Sequence, residues 1–235
     1  MKVLGKFEAI DLTHPLDCNV PTWNGSCGFQ FEVKMDYDQG VRVLLYKCHG
    51  GVGTHMDAPS HFYPDGDSMS DIPLDQLIVP VCIIDVSSKS HPDYFLGPEE
   101  VLEHEKKWGE IEEKSLVFAY TGWDKFWGDV KRYRNADFSG KMHFPGFDVK
   151  AAELLLERKI SGLGIDTLSP DGSHNGPGDR YAVHECLLRE GKFIIENAAH
   201  LSKMPAKGGY ALALPLKIVH GAEAPMRLVG LVQVT

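Results

Sequence analysis

Disulfide pairs, long apolar runs and positive charge are all scarce in this sequence. Its five cysteines are odd in number, widely spaced and without a C-x-x-C pair, a pattern typical of a reducing compartment. No segment approaches the ~18 apolar residues that cross a bilayer, and the opening residues lack the apolar stretch of a secretory signal. We therefore expect a cytoplasmic protein and exclude an integral membrane protein.

The charge balance and the missing motifs exclude further classes. With 33 acidic against 24 basic residues the net charge is −9, and no basic cluster offsets it, so the chain would repel a nucleic acid. The motifs G-x-G-x-x-G and G-x-x-x-x-G-K-[ST], which bind nucleotide phosphates, are absent, as is the G-x-S-x-G turn of serine hydrolases. A small molecule is therefore the partner we expect.

Length and composition suit one α/β domain over residues 1–235, because 43% of the residues are hydrophobic and can bury a substantial core. Runs of Val, Ile, Leu and aromatic residues predict strands, most of them buried on both faces. These runs are Phe7–Leu12, Val41–Cys48, Val79–Val86, Ser115–Thr121, Ile160–Asp166, Phe193–Ile195, Ala211–Ile218 and Met226–Val234. Apolar spacing and terminal residues predict helices at Pro98–Trp108, Asp148–Arg158 and Asp179–Glu190. Alternating strands and helices indicate an α/β architecture.

Three potential metal ligands stand close together in the irregular stretch 50–75. His55, Asp57 and His61 fall within seven residues, among glycines and a proline that favour tight backbone geometry. Because side chains alternate in an extended segment, His55 and Asp57 would point to the same face. Imidazole and carboxylate groups suit zinc, manganese or ferrous iron, and clustered histidine and aspartate mark a candidate metal site.

Residues 53–61 read GTHMDAPSH, and here the sequence resembles the cyclase family that includes kynurenine formamidase and isatin hydrolase, with its signature H-x-G-T-H-x-D-x-P-x-H. The resemblance extends to DLTHPL at residues 11–16, TGW at 121–123, FPG at 144–146 and GIDT at 164–167. It implies the family's swivelling β/β/α arrangement, a mixed sheet with outer helices. It also implies one or two Zn²⁺ or Mn²⁺ ions per subunit and a homodimer or homotetramer.

The same resemblance assigns two distant metal ligands, His184 and Glu196. From the residues alone, His184 on an amphipathic helix is more often an ordinary surface or core residue. Glu196 directly follows the apolar run Phe193–Ile195, where a carboxylate needs a cation or hydrogen bonds to offset its desolvation. A metal ligand and a buried ion pair both remain open at that residue. Ligands from two segments would suit a two-metal site in which Asp57 bridges the ions.

One position departs from the family signature. The first histidine of the signature falls on Gly51, so the nearest substitute is His49, provided that the glycines between them form a longer loop. Cys48 is a second candidate, although its side chain would point to the opposite face of an extended strand. The third alternative is that this ligand is absent, which leaves one metal or a weakened site.

The resemblance also implies the chemistry. A metal lowers the pKa of its water toward ~7, and His61, carried over as the family's acid/base residue, would move the proton. Trp23 and Phe62 are candidates to stack on a planar substrate, and Thr167 and Ser169 to hydrogen-bond it. Loop packing and turn formation are the competing interpretations of these four residues.

The expected function is hydrolysis of an aryl formamide or cyclic amide. The alternatives are a lactam or lactone hydrolase like isatin hydrolase, and a metal-poor binding or scaffold protein that keeps the fold.

Overall fold

A mixed nine-stranded sheet forms the centre of the computed structural model, which describes residues 2–3, 5–25, 28–172 and 181–234. The strands are β1 (Lys2–Val3), β2 (Phe7–Asp11), β3 (Phe29–Met35), β4 (Val43–Cys48), β5 (His55–Asp57), β6 (Ile78–Asp85), β7 (Phe95–Leu96), β8 (Leu116–Tyr120), β9 (Gly146–Phe147), β10 (Gly162–Ile165), β11 (Phe193–Glu196), β12 (Gly209–Pro215) and β13 (Glu223–Gln233). The α-helices are α1 (Leu74–Leu77), α2 (Pro98–Trp108), α3 (Val130–Arg134), α4 (Val149–Glu157) and α5 (Ala182–Arg189). Short 3-10 helices lie at Tyr37–Gln39, Pro59–His61, Trp123–Phe126 and Leu201–Lys203.

The large sheet closes on itself. Its strand order is β1-β2-β13-β12-β6-β8-β10-β11-β5, and β5 pairs with β13 as well as with β11. The neighbours β6, β8, β10 and β11 run parallel, whereas β5, β12 and β13 pair antiparallel with their neighbours. The predicted α/β class and mixed sheet are confirmed, with the sheet closed into a barrel-like arrangement.

Alternation along each strand separates an inner from an outer apolar layer. On β6, Val81 and Ile83 belong to the cluster inside the barrel, whereas Cys82 and Ile84 belong to the outer cluster. The helices α2, α4 and α5 contribute their buried apolar residues to that outer cluster, as expected for helices outside the sheet. Strands buried on both faces explain the unbroken apolar runs in the sequence.

The helices start where the sequence supplies the capping groups. The Glu100 carboxylate accepts the Gly97 amide at 2.9 Å at the start of α2, and the Asp148 carboxylate accepts the Lys150 amide at 2.8 Å at the start of α4. Both predicted helices are confirmed within about two residues. The third begins at Ala182, and the first two residues predicted for it, 179 and 180, lie outside the described residues.

The hairpin formed by β3 and β4 stands apart from the large sheet. The structure pairs these two strands with each other as a separate two-stranded sheet, with Phe31 opposite Tyr46. Tyr46 is 60% exposed and Phe31 is 51% exposed, so the Val41–Cys48 run is a strand but is not buried on both faces. Apolar composition predicted the strand correctly, yet it carries no information on whether the same chain covers it.

None of the helices in the described ranges is long and apolar enough to cross a membrane.

Candidate metal centre

Strand β5 lies between β11 and β13, and this position brings the acidic groups together. In the antiparallel registers His55 is opposite Glu196 of β11, and Asp57 is opposite Glu223 of β13. Directly opposed residues share a face of the sheet, while Met56 between them points into the barrel core. The four polar side chains therefore gather on the outer face of the barrel, where three strands meet.

The loop before β5 is tied to the segment that follows β11. The Thr54 hydroxyl donates to the backbone carbonyl of Asn197 at 2.6 Å, and the side-chain amide of Asn197 donates to the backbone carbonyl of Gly53 at 2.9 Å. His55 Nδ1 also donates to the Gly53 carbonyl at 2.9 Å, which leaves Nε2 as the ring nitrogen that faces the cluster. Gly53 lies at φ +66°, a left-handed backbone that favours glycine. These bonds orient the His55 ring for coordination.

Helix α5 supplies the second imidazole. His184 Nδ1 donates to the buried Asp171 carboxylate, which also accepts the Val183 amide at 2.7 Å and thereby anchors the start of the helix. His184 Nε2 then lies 3.4 Å from both Asp57 Oδ2 and Glu196 Oε1. A carboxylate that binds one ring nitrogen while the other nitrogen faces the donor atoms is the usual support of a metal-binding histidine.

The donor atoms form two sets that share Asp57. His55, Asp57 and Glu223 make one set, Asp57, His184 and Glu196 make the other, and the atoms of each set lie within 4.8 Å of one another. Glu196 also bridges the sets, because its Oε2 lies 3.3 Å from His55 Nε2.

Both sets fit a divalent cation. Asp57 is only 1% exposed, and its Oδ1 has no hydrogen-bond partner among the described residues. A buried carboxylate oxygen without a partner carries a large desolvation cost that a cation would offset. Imidazole nitrogens combined with carboxylate oxygens suit Zn²⁺, Mn²⁺ or Fe²⁺.

The members of this cluster shift one another's pKa values. Burial alone raises the pKa of the Asp57 carboxyl, but the adjacent His55 and His184 rings outweigh burial and hold that pKa well below its usual range. Burial lowers the pKa of both imidazoles, and the surrounding carboxylates reverse this and raise it well above its usual value. Burial and the charge of Asp57 raise the pKa of Glu223. Positive charge at the centre of the cluster therefore stabilises these carboxylates.

A cavity of about 290 Å³ opens onto the donor atoms and has an aromatic wall. Trp23, Phe62 and Tyr181 form that wall, and the Phe62 ring stacks on His184 with ring centroids 5.1 Å apart at 19°. His61 also faces the cavity, with Nδ1 3.9 Å from Glu223 Oε2. A larger, open groove of about 850 Å³ between α4 and α5 lies away from these donor atoms. We place the chemistry in the smaller cavity because only that one meets both donor sets.

The structure brings together most of the residues that the sequence singled out. His55, Asp57, His184 and Glu196 meet at the cluster. Among the candidates outside the donor sets, His61, Trp23, Phe62 and Ser169 line the cavity.

Two candidates lie outside both the donor sets and the cavity that meets them. His49 is exposed and lines a neighbouring cavity, and neither donor set drawn from the described residues includes it. The third member of the set with His55 and Asp57 is Glu223. Thr167 is fully buried, and its hydroxyl donates to the Pro145 and Ser169 carbonyls at 3.1 Å each. Thr167 therefore shapes the turn after β10, which was the competing interpretation.

Sequence reasoning missed Glu223 and Asp171. Glu223 opens a strand in which Ala224, Met226 and Leu228 are buried, so the signal that drew attention to Glu196, an acid at the edge of an apolar run, was present there too. Asp171 lies in a turn and is recognisable only once its contact with His184 is seen.

The fold is a closed, barrel-like α/β domain. Its outer face carries two sets of imidazole and carboxylate donors, which is the chemistry of a cation-binding domain. A family model described as "Putative cyclase" matches residues 10–172, so the chain belongs to the cyclase family.

Named relatives agree with this membership. The chain is 38% identical over 188 residues to an isatin hydrolase of Roseibium aggregatum, covering 77% of this chain and 71% of the relative. It is 30% identical over 234 residues to a kynurenine formamidase of Bacillus cereus, covering 94% and 96%. Among solved structures, an isatin hydrolase bound to the product analogue thioisatinate superposes with a TM-score of 0.91 at 32% identity, covering 98% of this chain and 94% of that one.

Proposed function

We propose that the protein hydrolyses a small aryl formamide or cyclic amide with the help of a divalent cation. The observation that carries the proposal is the buried, unpartnered Asp57 oxygen at the centre of two donor sets beside an aromatic-walled cavity. The similarity to isatin hydrolase and kynurenine formamidase supports the reaction class, because both names describe hydrolysis of a carbon–nitrogen bond that is not a peptide bond.

Some residues of the site would bind the cation, and others would act on the substrate. The donor sets would hold one or two cations through His55, Asp57, Glu223, His184 and Glu196. When bound, such a cation supplies an acidified water and a Lewis acid for the scissile carbonyl. Asp171 and the Gly53 carbonyl fix the two imidazole rings, so that the donor atoms need little reorganisation on binding.

The proton transfer belongs to His61, which faces the cavity beside the donor sets. His61 accepts a proton from the attacking water as the new carbon–oxygen bond forms, and it delivers that proton to the leaving nitrogen as the carbon–nitrogen bond breaks. Phe62 and Trp23 stack on the planar ring of the substrate and keep bulk water from it. Ser169 lines the same cavity and offers a hydrogen-bonding group to the substrate carbonyl.

A cyclic amide of the isatin type is the second candidate substrate. It is favoured by the higher identity to the isatin hydrolase, 38% against 30% for the kynurenine formamidase, and by the close superposition on an isatin hydrolase structure. Both substrates carry an aromatic ring on the nitrogen of the scissile amide, so the aromatic wall suits either one.

Activity assays of metal-loaded protein against N-formylkynurenine and isatin test the proposal. We expect turnover of one of them with Mn²⁺ or Zn²⁺. The His61→Ala variant should lose at least about 100-fold in kcat, the scale of general acid–base catalysis, and keep its bound metal by elemental analysis. Wild-type protein with less than one equivalent of metal would instead favour a metal-poor scaffold. Intact activity of the variant would remove His61 from the mechanism.

We further propose that a second copy of the chain covers the β3–β4 hairpin. Its apolar face includes Phe31 and Val33 on one strand and Leu44 and Tyr46 opposite them, whereas Gln30 lies on the other face. An isolated two-stranded hairpin is marginally stable in water, and packing of its apolar face against a partner would stabilise it. A symmetric homodimer, the commonest assembly, supplies such a partner.

A further inference from the structure

We propose that Glu223 is a metal ligand that takes the role of the histidine absent at residue 51. It would make the metal position at His55 and Asp57 rich in oxygen donors. This inference rests on the proposed metal-dependent function. It adds which donor atoms form that one metal position and which metal the position prefers. In this chain that position would be formed by His55 Nε2 with two carboxylates, those of Asp57 and Glu223.

The space around Gly51 carries the first step. A Cβ atom built at Gly51 would collide with Glu223 Oε1 and lie 3.3 Å from His55 Nε2. The volume that a side chain at residue 51 would enter is thus filled by the Glu223 carboxylate. The backbone of Gly51 is not among the left-handed glycines, so its conformation does not require glycine. A side chain at residue 51 and the Glu223 carboxylate would therefore compete for the same space.

The neighbouring glycine points to the same cause. A Cβ atom at Gly50 would come within 2.8 Å of both the Cβ and the carbonyl oxygen of Glu223. The pair Gly50 and Gly51 therefore lets the chain pass close against the start of β13. Register then aligns Glu223 with Asp57, so that both carboxylates reach the same face as His55.

Two independent features separate this arrangement from an ordinary acidic surface cluster. Asp57 is 1% exposed, and its Oδ1 finds no hydrogen-bond partner in the described part of the chain, so the site presents a buried oxygen aimed at the same centre. Glu223 itself lines the cavity that meets the donor sets, and its side chain is 32% exposed.

The exchange of a nitrogen for an oxygen donor predicts a shifted metal preference. A set of two imidazoles and one carboxylate suits Zn²⁺, whereas carboxylate-rich sets suit the harder Mn²⁺. Zn²⁺ still binds more tightly than Mn²⁺ in absolute terms by the general order of affinities. The ratio of the two affinities is therefore the quantity that reports on Glu223.

A swap of the two residues tests the proposal. Dissociation constants for Mn²⁺ and Zn²⁺ are measured by competition titration on chelator-treated wild type, Glu223→Ala, Gly51→His and the double variant. We expect Glu223→Ala to lose at least about tenfold in Mn²⁺ affinity at one position. Gly51→His alone should also lose affinity, because the new side chain collides with Glu223. The double variant should recover binding, with a Zn²⁺ to Mn²⁺ affinity ratio at least about tenfold above that of wild type.

Substitution of the exposed Glu190, directly after the end of α5, by Gln (Glu190→Gln) serves as the control for loss of one negative charge, and it should leave both affinities unchanged. If wild type binds neither ion, the proposed metal-dependent function fails. If wild type binds metal but Glu223→Ala and Glu190→Gln behave alike, the function stands and the role of Glu223 is refuted. Circular dichroism of each variant excludes loss of binding through unfolding.

Discussion

Asp171 is the residue whose removal should separate metal binding from folding most clearly. It accepts His184 Nδ1 and the Val183 amide, so it both orients an imidazole and anchors α5. We expect Asp171→Asn to weaken metal binding by about 10- to 100-fold, because loss of an outer partner misorients the coordinating ring. Titration with Mn²⁺ measures the effect.

The matched control is Asp148→Asn, which makes the same substitution at the cap at the start of α4, away from the cluster. Asparagine caps a helix about as well as aspartate, so Asp148→Asn should change the unfolding free energy by no more than about 0.5 kcal/mol. Only Asp171→Asn should change metal affinity. Equal metal affinities in the two variants would contradict the positioning role of Asp171.

A surface histidine gives a prediction on pH. His143 Nδ1 lies 2.8 Å from Asp93 Oδ2 and Nε2 lies 3.4 Å from Asp137 Oδ2, and the bond to Asp93 is the main cause that raises the pKa of His143 above 6.5. A raised histidine pKa means that the ion pairs stabilise the fold below pH 6.5, the unfolded value, and that this contribution is lost as pH rises through the folded pKa.

An NMR titration of the His143 ring should therefore give a midpoint above 6.5. The Asp93→Asn variant should show a lower midpoint, since it removes the main cause of the shift. A wild-type midpoint at or below 6.5 would show that these ion pairs do not form in solution.

Which site residues can be predicted from sequence depends on how near they lie to a recognisable pattern. His55 and Asp57 share a short motif, and His184 and Glu196 follow from the family resemblance. Glu223 meets Asp57 only through the pairing of β13 with β5, a long-range register that a sequence without its fold does not reveal. The His49 prediction did not consider Glu223 for the same reason, because the donor set with His55 and Asp57 draws its third member from a distant strand.

At the level of elements, β10 shows how glycine can be a packing requirement. A Cβ atom at Gly164 would run into the Phe118 ring, and one at Gly162 would meet the Phe193 ring. Phe118 and Phe193 belong to the buried cluster inside the barrel. The two glycines therefore leave room for aromatic rings from the adjacent strands β8 and β11.

Gly164→Ala should destabilise the fold by about 1–3 kcal/mol, the usual cost of overpacking a core. Gly128→Ala is the control, because no described atom lies within 4 Å of a Cβ there and the backbone is not left-handed. Urea unfolding of both variants measures the difference. Equal unfolding free energies would mean that the Phe118 ring moves aside without cost.

Elements with apolar runs or clear helical spacing were predictable, whereas the shortest strands and the exposed β3 were not. The strands β6, β8 and β12 and the helices α2 and α4 have apolar runs or helical spacing that extend over several residues. By contrast, β5 is three residues long and owes its conformation to strands on both sides. The predicted irregular stretch 50–75 contains β5 because no periodicity can be read from three residues.

For the whole molecule, the β3–β4 hairpin connects assembly with the site. The strand β4 ends at Cys48, directly before the glycine loop that passes against Glu223. A second copy packed on the hairpin would therefore hold the chain segment that leads into the metal centre. This is a structural route by which assembly would support activity.

The apolar face of the hairpin provides a direct test of the proposed homodimer. Phe31→Lys places a charge on that face, and desolvating it at an interface is costly, so we expect the mass in solution to fall from two chains to one. Gln30→Lys introduces the same side chain on the opposite, polar face of the same strand and should leave the dimer intact. Light scattering coupled to size-exclusion chromatography measures both masses. A wild-type protein with the mass of one chain would refute the dimer, and equal behaviour of the two variants would place its interface elsewhere.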